Sequence, residues 1–243
     1  MADRFLRRSR PGEIVCKLCT KTVMEQDLIA EGDRILIAAS GGKDSTVMAW
    51  ALSSLKKILK MNFELAALHI SADFRGCCEN PDLAEKLESW NIPYTDLFVP
   101  VAGRLKPGKK MNCYWCSTQR RTELLKYAAE HGFNKIALGH HLDDIIETFF
   151  MNLCAGGGLS SMPVKLVYRK FPAVLIRPLA CLEEKQIIAC AAELDILKNA
   201  STCVYGEHSR RLEMRKKIAV FTNNSGAVKR RILRAVLEQT EAQ

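Results

Sequence analysis

The sequence lacks any apolar run of the roughly 18 residues that a membrane-spanning helix requires. Its first ten residues, MADRFLRRSR, lack the apolar core of a secretory signal. Internal repeats and low-complexity tracts are absent as well. These absences argue against a membrane protein, a secreted protein and a repeat array, and they predict a soluble cytoplasmic protein with no membrane partner.

Positive charge is in excess and is clustered. The 243 residues include 36 Lys and Arg against 27 Asp and Glu, which gives a net charge of +9. The three clusters comprise Arg4, Arg7, Arg8 and Arg10; Arg104, Lys106, Lys109, Lys110, Arg120 and Arg121; and Arg210, Arg211, Arg215, Lys216, Lys217, Lys229, Arg230, Arg231 and Arg234. Such clusters suit a polyanion, although solvated helix faces have the same composition.

Ten cysteines are present. Because disulfides are rare in the cytosol, cysteines in a cytosolic chain of this size indicate metal ligation or sulfur chemistry. Cys154, Cys181 and Cys190 stand among apolar helix residues and are expected to be small core side chains.

Strand-like apolar runs alternate with helical patterns along most of the chain. Strands are predicted at residues 34–39, 63–70, 94–99 and 135–139, and helices at residues 43–60, 81–91, 117–131 and 142–155. A strand pair near residues 164–168 and 174–179 and helices at residues 183–194 and 209–222 are predicted to follow. This alternation indicates an α/β fold with a doubly wound parallel sheet, whose ligands bind beyond the carboxyl ends of the strands.

Three segments are predicted from these patterns. Residues 1–27 form a basic leader with a C-x-x-C pair, residues 28–222 form the main domain, and residues 223–243 form a basic C-terminal helix. Within the main domain, residues 100–112 contain two glycines and two prolines beside the basic cluster and are expected to form a mobile loop.

The stretch ILIAASGGKDSTVMAW, at residues 35–50, joins an apolar strand to a helix through two glycines. Adjacent glycines let backbone N–H groups converge on an anion, and the helix N-terminus adds partial positive charge, so phosphate is the expected ligand. The loop is not the common G-x-x-x-x-G-K-[ST] motif. A plain turn with a serine cap would explain Ser40 and the glycines, but not Lys43 and Asp44.

Cys113 and Cys116 in NCYWCSTQRR have a spacing that lets two thiolates reach one metal ion or cluster. The candidate third ligand is Cys203, with His208 five positions later. Two chemistries remain open. Three cysteines can hold an iron–sulfur cluster with one open iron, or three cysteines and His208 can hold zinc.

The motif SGGKDS resembles the signature of the PP-loop, or N-type, ATP pyrophosphatases, which cleave ATP between the α- and β-phosphates and adenylate a substrate. The resemblance implies that the loop holds pyrophosphate, that Lys43 offsets its charge, and that the backbone near Ala39 and Ile70 meets adenosine. The implied nucleotide-binding residues are Ala39, Ser40, Gly41, Gly42, Lys43, Asp44, Ser45, Ile70, Arg120, Gly139 and Asp144.

The order of C-x-x-C, Arg120, LGHHLDD and a distant single cysteine is similar to that of the tRNA thiolation branch of this family, over about residues 28–222. In that branch the three cysteines bind a [4Fe-4S] cluster. Cys16 and Cys19 resemble half of the zinc ribbon of the 2-thiouridine enzymes, but no second pair follows nearby, which favours the 2-thiocytidine synthetases. Val204 stands where many relatives carry proline.

Asp143 and Asp144 occupy the first turn of a predicted helix, where the helix dipole stabilises carboxylates. The family resemblance adds a second interpretation for one of them. It implies that Gly139 and Asp144 meet the nucleotide and its magnesium, and that Arg120 contacts ATP. The implied catalytic set is therefore Lys43, Asp44, Asp144 and Arg120.

These features together predict an ATP-dependent tRNA sulfurtransferase that adenylates a pyrimidine C2 oxygen and replaces it with sulfur. The expected cofactors are ATP, Mg²⁺ and a [4Fe-4S] cluster held by Cys113, Cys116 and Cys203. The expected partners are tRNA and a sulfur donor such as a cysteine desulfurase or free sulfide, and the chain could form a homodimer. The alternatives are a PP-loop tRNA-modifying ligase without a cluster and a zinc-stabilised RNA-binding module without catalysis.

Overall fold

The computed structural model describes residues 10–74, 82–168, 170–196 and 210–241. Its strands are β1 (Arg34–Ala38), β2 (Glu64–Ala72), β3 (Tyr94–Val99), β4 (Lys135–Ala137), β5 (Lys165–Val167) and β6 (Val174–Ile176). They form a six-stranded sheet in the order β3-β2-β1-β4-β6-β5, in which only the β5–β6 pair is antiparallel. The predicted α/β class is confirmed, and the predicted strand pair supplies an antiparallel edge.

Helices cover both faces of this sheet. They are α1 (Pro11–Glu25), α2 (Lys43–Leu59), α3 (Leu83–Ser89), α4 (Cys113–Glu130), α5 (Leu142–Cys154), α6 (Glu184–Glu193), α7 (Arg210–Thr222) and α8 (Gly226–Glu241). Among the described residues none of the helices is long and apolar enough to span a membrane.

The alternation of side chains along β1 divides the core into two layers. Ile35 and Ile37 pack into one apolar cluster with most of the helices, whereas Leu36 packs into a second cluster with α4. All three are buried because successive strand residues point to opposite faces and both faces are covered. The apolar sequence of the strand follows from this burial.

Helix α4 begins four residues earlier than the predicted start at residue 117. The physical reason is a cap, since Asn112 Oδ1 accepts a hydrogen bond of 2.8 Å from the Trp115 N–H and satisfies one donor of the first turn. The Trp115 indole N–H also donates to the Val101 carbonyl at 3.0 Å, which ties the helix start to the preceding loop. Cys113 and Cys116 therefore lie within the first helical turn rather than before the helix.

Helix α1 packs on the same core as the residues that follow it. Val15, Cys19 and Val23 are buried in the cluster that contains the side chains of α2 and α6. The Gly12 N–H donates to Glu193 Oε2 of α6 at 2.8 Å. The segment boundaries at residues 27 and 222 stay predictions, but α1 and α8 both contribute to this shared core.

Cys19 is an apolar core side chain in this arrangement. It is fully buried, and burial raises the pKa of its thiol, with nearby Cys16 as a smaller cause. A thiol that stays protonated is a poor metal ligand because the thiolate is the ligating form. Burial of Cys190 likewise raises its pKa, to about 12, and its predicted place in the core is confirmed. The same prediction is wrong for Cys154, which is exposed at the end of α5, and Cys181 is only half-buried.

The loop at residues 100–112 contains no helix or strand. Its first part is held by Asp73, whose carboxylate accepts hydrogen bonds from the Ala102 N–H at 2.7 Å and the Gly103 N–H at 2.8 Å. Arg104 pairs with Glu123 of α4 at 2.8 Å. Lys109 and Lys110 are exposed beyond these contacts, so the free basic charge lies at the far end of the loop.

Candidate nucleotide and metal site

The glycine loop, defined as residues 40–45, lies between the carboxyl end of β1 and the first turn of α2. Gly41 has φ of 81°, a left-handed conformation that favours glycine. Ser45 Oγ lies 2.9 Å from Ser40 Oγ and accepts a hydrogen bond of 3.1 Å from the Ser40 N–H, so the two serines brace the turn. Gly42 is the N-cap of α2 and makes no side-chain cap hydrogen bond. The loop therefore has the form of an anion site at a helix N-terminus.

Lys43 is held by two carboxylates. Its Nζ lies 3.1 Å from Asp44 Oδ1 and 3.0 Å from Glu184 Oε1, at the start of α6. Burial alone would lower the pKa of Lys43, but Asp44 and Glu184 outweigh burial and raise it. The ammonium group is thus a fixed positive charge at the glycine loop.

Gly139 allows the chain after β4 to pass close to the glycine loop. A Cβ atom at this position would lie 2.9 Å from the Ser45 nitrogen and 3.1 Å from the Asp44 carbonyl carbon. Both neighbours are backbone atoms that cannot move aside without displacing the first turn of α2. The family resemblance drew attention to Gly139, and the structure gives a steric reason for glycine there.

A cavity of about 350 Å³ lies between helices α5 and α6 and the C-terminal helices, and it is lined by their ion pairs. A second cavity, of about 210 Å³, lies at the carboxyl ends of the central strands and is called the central cavity below. Its walls contain four of the predicted nucleotide-binding residues, namely Ala39, Ser40, Ile70 and Arg120. The side formed by the strand ends is mainly apolar, and the side formed by α4 carries both arginines. The remaining wall residues are Ala38, Leu68, Ser117, Arg121, Leu124, Leu138 and His140.

Asp44 and Asp144 approach each other across His141. The Nε2 atom of His141 lies 3.9 Å from Asp44 Oδ1 and 3.4 Å from Asp144 Oδ2. Asp44 Oδ1 is buried, and apart from the ion pair with Lys43 at 3.1 Å it has no hydrogen-bond partner among the described residues. Carboxylate oxygens are the ligands that Mg²⁺ prefers, and it commonly binds one or two of them together with substrate phosphates.

Asp144 is set up to remain ionised. Burial by itself would raise the pKa of its carboxyl group, but His141, His140 and Arg211 together lower it. The backbone N–H of His141 also donates a hydrogen bond of 3.1 Å to Asp144 Oδ2, in the first turn of α5. Arg211 of α7 pairs with Asp144 Oδ1 at 3.2 Å.

Part of the C-terminal basic cluster neutralises acids of α5 and α6. Arg215 lies 2.5 Å from Glu147 and 2.9 Å from Glu184. The other pairs are Lys229 with Asp143 at 2.6 Å and Arg230 with Glu183 at 2.6 Å. Arg211, Arg215, Lys229 and Arg230 are therefore ion-paired within the protein, and contact of the cluster with a polyanion stays a prediction. The exposed members are Arg210, Lys216, Lys217, Arg230, Arg231 and Arg234, of which Arg230 is paired with Glu183.

Cys113 and Cys116 are three positions apart on α4, so both can lie on one side of its first turn. Cys113 is exposed and Cys116 is half-buried. Cys203 and His208 lie outside the described residues. Within the described ranges, no group of three or more His, Cys, Asp or Glu side chains is arranged to hold a metal ion.

Glu184 and Arg215 are site residues that the sequence did not predict. Glu184 lies 141 positions from Lys43 and is the first residue of an ordinary amphipathic helix, so no local pattern identified it. Arg215 was assigned only to a general basic cluster. A search for acids at helix starts that follow parallel strands could have suggested Glu184, because those starts meet at one edge of the sheet.

The chain is similar to known proteins throughout this region. A family model described as a PP-loop domain matches residues 15–201. The tRNA-cytidine(32) 2-sulfurtransferase of Dichelobacter nodosus is 41% identical over 178 residues, which cover 72% of this chain and 66% of that protein. The enzyme of the same name from Acinetobacter baumannii is 41% identical over 172 residues, which cover 70% of this chain and 57% of that protein. The chain thus spans less than two thirds of the length of these curated relatives.

A solved structure extends the similarity to the fold. The U34-tRNA thiolase NcsA from Methanococcus maripaludis, solved with its [4Fe-4S] cluster, matches with a TM-score of 0.78 and 26% identity. The match covers 95% of this chain and 80% of that chain. Since the PP-loop model spans well over half of the residues, the chain belongs to the PP-loop family.

Proposed function

We propose that the protein is an ATP-dependent tRNA sulfurtransferase that adenylates the C2 oxygen of a pyrimidine and replaces that oxygen with sulfur, with cytidine as the base. The observation that carries the proposal is the combination of the glycine loop with the C-x-x-C helix start on one edge of the sheet. The names of the relatives from Dichelobacter and Acinetobacter, and of NcsA, support the same reaction class.

The glycine loop would hold the pyrophosphate portion of ATP. Gly41, Gly42 and the α2 N-terminus supply backbone donors, and Lys43 supplies a fixed positive charge that favours departure of pyrophosphate. Adenosine would occupy the apolar side of the central cavity, near Ala39 and Ile70, with Arg120 on its basic side. Asp44 and Asp144 would hold Mg²⁺, which offsets phosphate charge when bound.

Cys113 and Cys116 fit two of the three predicted cluster ligands. Both thiols lie in the first turn of α4, three positions apart, so one side of the helix can present both to a single cluster. We propose Cys203 as the third ligand. A bound [4Fe-4S] cluster would supply an iron atom through which sulfide is presented to the adenylated base.

RNA would approach over exposed basic residues beside this edge. The far end of the 100–112 loop carries Lys109 and Lys110, and α7 carries Lys216 and Lys217. An unpaired tRNA base reaches an active site more easily than a stacked one. We propose a cysteine desulfurase or free sulfide as the sulfur donor. We also propose that the protein forms a homodimer and is located in the cytoplasm.

Nucleoside mass spectrometry of tRNA from a deletion strain tests the reaction. We expect one 2-thiopyrimidine nucleoside to disappear and to return when the wild-type gene is restored. Restoration with Lys43→Ala should fail, whereas restoration with Lys57→Ala, an exposed lysine on the same helix, should succeed. A full complement of thiolated nucleosides in the deletion strain would contradict the proposed reaction.

Metal analysis of anaerobically purified protein tests the ligands. We expect iron and sulfide with broad visible absorbance in the wild type and in His208→Ala, and loss of both in Cys203→Ser, because a hydroxyl is a poor iron ligand. A Cys3His zinc site predicts stoichiometric zinc that His208→Ala releases. Full iron retention in Cys203→Ser would exclude Cys203 as a ligand, and a colourless zinc protein would favour the RNA-binding module.

A further inference from the structure

Arg177 is a buried cation that the proposed chemistry does not use. It follows β6 directly and is 4% exposed. Its Nη1 donates to the Pro163 carbonyl, whereas its Nε is buried without a hydrogen-bond partner. Among the described residues no carboxylate forms an ion pair with it. A buried charge without a counterion is costly by several kcal/mol, so its retention calls for an explanation.

His140 follows the neighbouring strand β4, and its side chain also has a buried polar atom without a partner. Its Nδ1 atom is buried and has no hydrogen-bond partner, while its side chain forms part of the wall of the central cavity. Burial lowers the pKa of His140 to about 4, and Arg177 is the next largest cause. The imidazole is therefore neutral near pH 7 and keeps one ring N–H to donate.

The surroundings of these two residues carry excess positive charge. Arg121 belongs to the wall of the same cavity, and its charge adds to burial in lowering the pKa of Arg177 to about 10. Asp144 is the acid that acts on both Arg177 and His140, but its carboxylate already pairs with Arg211. Arg177 is not itself a wall residue, but its charge acts on His140, which is, and the described residues of the cavity wall include no acid.

We propose that Arg177 and His140 form a subsite for the α-phosphoryl group of the nucleotide, which stays on AMP after pyrophosphate leaves. The assignment rests on the proposed function and follows from the order of strands at this edge. Ser40 of the glycine loop and the apolar adenosine side share one cavity with His140. The α-phosphoryl group joins adenosine to pyrophosphate, so it must lie where these parts of the cavity meet.

The chemistry of the two residues suits such a group. Arg177 supplies the positive charge that a phosphate monoanion or dianion would balance, and neutral His140 can donate a hydrogen bond from the cavity wall. Both would act on the phosphorus centre at which the base oxygen attacks. The cost of a buried, unpaired arginine in the ligand-free protein is then offset when the nucleotide binds.

Displacement of a fluorescent ATP analogue by AMP, adenosine or inorganic pyrophosphate tests the subsite. In Arg177→Met and in His140→Gln we expect AMP affinity to fall by about tenfold or more, the size expected for a charged hydrogen bond. Adenosine and pyrophosphate affinities should change by less than about twofold. Arg177→Lys should keep most of the preference for AMP, and Arg104→Gln, outside the cavity, should match the wild type.

Each other pattern overturns the subsite. Equal losses for AMP and adenosine would mean that Arg177 only supports the cavity wall. Unchanged AMP affinity together with weaker RNA binding would assign the charge to an RNA phosphate. Failure of the nucleotide assignment itself has a different signature, because AMP, adenosine and pyrophosphate would then fail to displace the analogue from the wild-type protein.

Discussion

Lys43 of the glycine loop and Glu184 of α6 form an ion pair of 3.0 Å across 141 positions of sequence. Lys43 is the cation that we propose binds pyrophosphate, and Glu184 is paired with it here. Glu184 is itself fixed by Arg215, which lies 2.9 Å from its second carboxylate oxygen. Glu184 is therefore a counterion to Lys43 that the proposed phosphate would have to replace.

Glu184→Gln should strengthen ATP binding. The substitution removes a negative charge that competes with the phosphates for Lys43, and the gain expected for this half-buried pair is about three- to tenfold in Kd. Isothermal titration calorimetry with ATP measures it. Glu123→Gln, which removes an acid paired with Arg104 away from the cavity, is the matched control. Weaker ATP binding would instead mean that Glu184 holds Lys43 in its binding position.

Lys43→Ala should reduce release of pyrophosphate by at least about 100-fold, because charge that develops on the leaving phosphate is no longer offset. The visible absorbance of the proposed cluster should persist, since Cys113 and Cys116 lie on another helix. A pyrophosphate assay and an absorbance spectrum of the same anaerobic sample measure both. Lys57→Ala should behave as the wild type, and unchanged pyrophosphate release in Lys43→Ala would remove the role of that residue.

Gly42→Ala should separate nucleotide binding from folding. Gly42 has φ of −85°, which alanine adopts readily, and an added Cβ would find its nearest neighbour at an ordinary 3.5 Å. Stability should therefore change by less than about 0.5 kcal/mol. The new methyl group would still obstruct the approach of phosphate to the loop backbone, so ATP affinity should fall by at least about tenfold.

Gly139→Ala is the variant to compare with Gly42→Ala, because here the added methyl group should affect folding. Its Cβ would lie 2.9 Å from backbone at Ser45, so the free energy of unfolding should fall by about 1–3 kcal/mol, even without nucleotide. Chemical denaturation of both variants, beside ATP titration, distinguishes the two glycines. A Gly42→Ala protein that binds ATP normally would contradict the proposed position of the phosphates.

The sequence predicted the features that depend on local pattern. Apolar runs bounded by turn residues located β1 and β3 within a residue, and the glycine loop follows from its motif. It did not predict the start of α4, because a single hydrogen bond from Trp115 to Asn112 extends that helix. Capping of this kind changes a boundary without changing the periodicity of the helix.

Ion pairs between residues that are distant in the sequence could not be predicted from local sequence patterns. Arg211 and Arg215 have the spacing of an exposed basic face, yet each meets an acid of α5 more than 60 positions away. Arg177 precedes a proline in an otherwise ordinary strand end, and only its burial in the fold distinguishes it. Partners brought together by sheet order leave no trace in the local sequence.

Asp33 should make stability depend on acid pH. Burial would raise the pKa of its carboxyl group, but Lys135 at 2.6 Å, the Ala30 N–H and Asn134 together lower it below the ordinary 3.8. Because the folded-state pKa is depressed, the stabilisation is present above the unfolded value and is lost as pH falls through the folded value.

Asp33→Asn should therefore cost about 3–5 kcal/mol at pH 7, since it leaves Lys135 buried without its counterion. The difference from the wild type should shrink as pH falls below about 4. Urea denaturation at several pH values measures it. Asp27→Asn, at an exposed position, should follow the wild-type curve. A pH-independent difference between Asp33→Asn and the wild type would show that the charge of Asp33 is not the cause.

RNA binding should distinguish the exposed basic residues of α7 from the paired ones. Lys216 and Lys217 are exposed, whereas Arg211 and Arg215 pair with Asp144 and Glu147. The slope of log affinity against log salt concentration becomes shallower by about 0.7–0.9 for each RNA phosphate that the protein no longer neutralises. The double variant Lys216→Gln/Lys217→Gln should therefore reduce the slope for tRNA and leave ATP affinity unchanged.

The double variant Arg211→Gln/Arg215→Gln should behave in the opposite way. It leaves the acids of α5 without counterions, so it should lower stability and alter ATP affinity while the salt slope stays near the wild-type value. Fluorescence anisotropy of labelled tRNA over a range of salt concentrations, with ATP titrations on the same proteins, measures both quantities. An equal reduction of the slope in the two double variants would mean that the ion pairs to α5 open when RNA binds, and that all four cations then reach the phosphates.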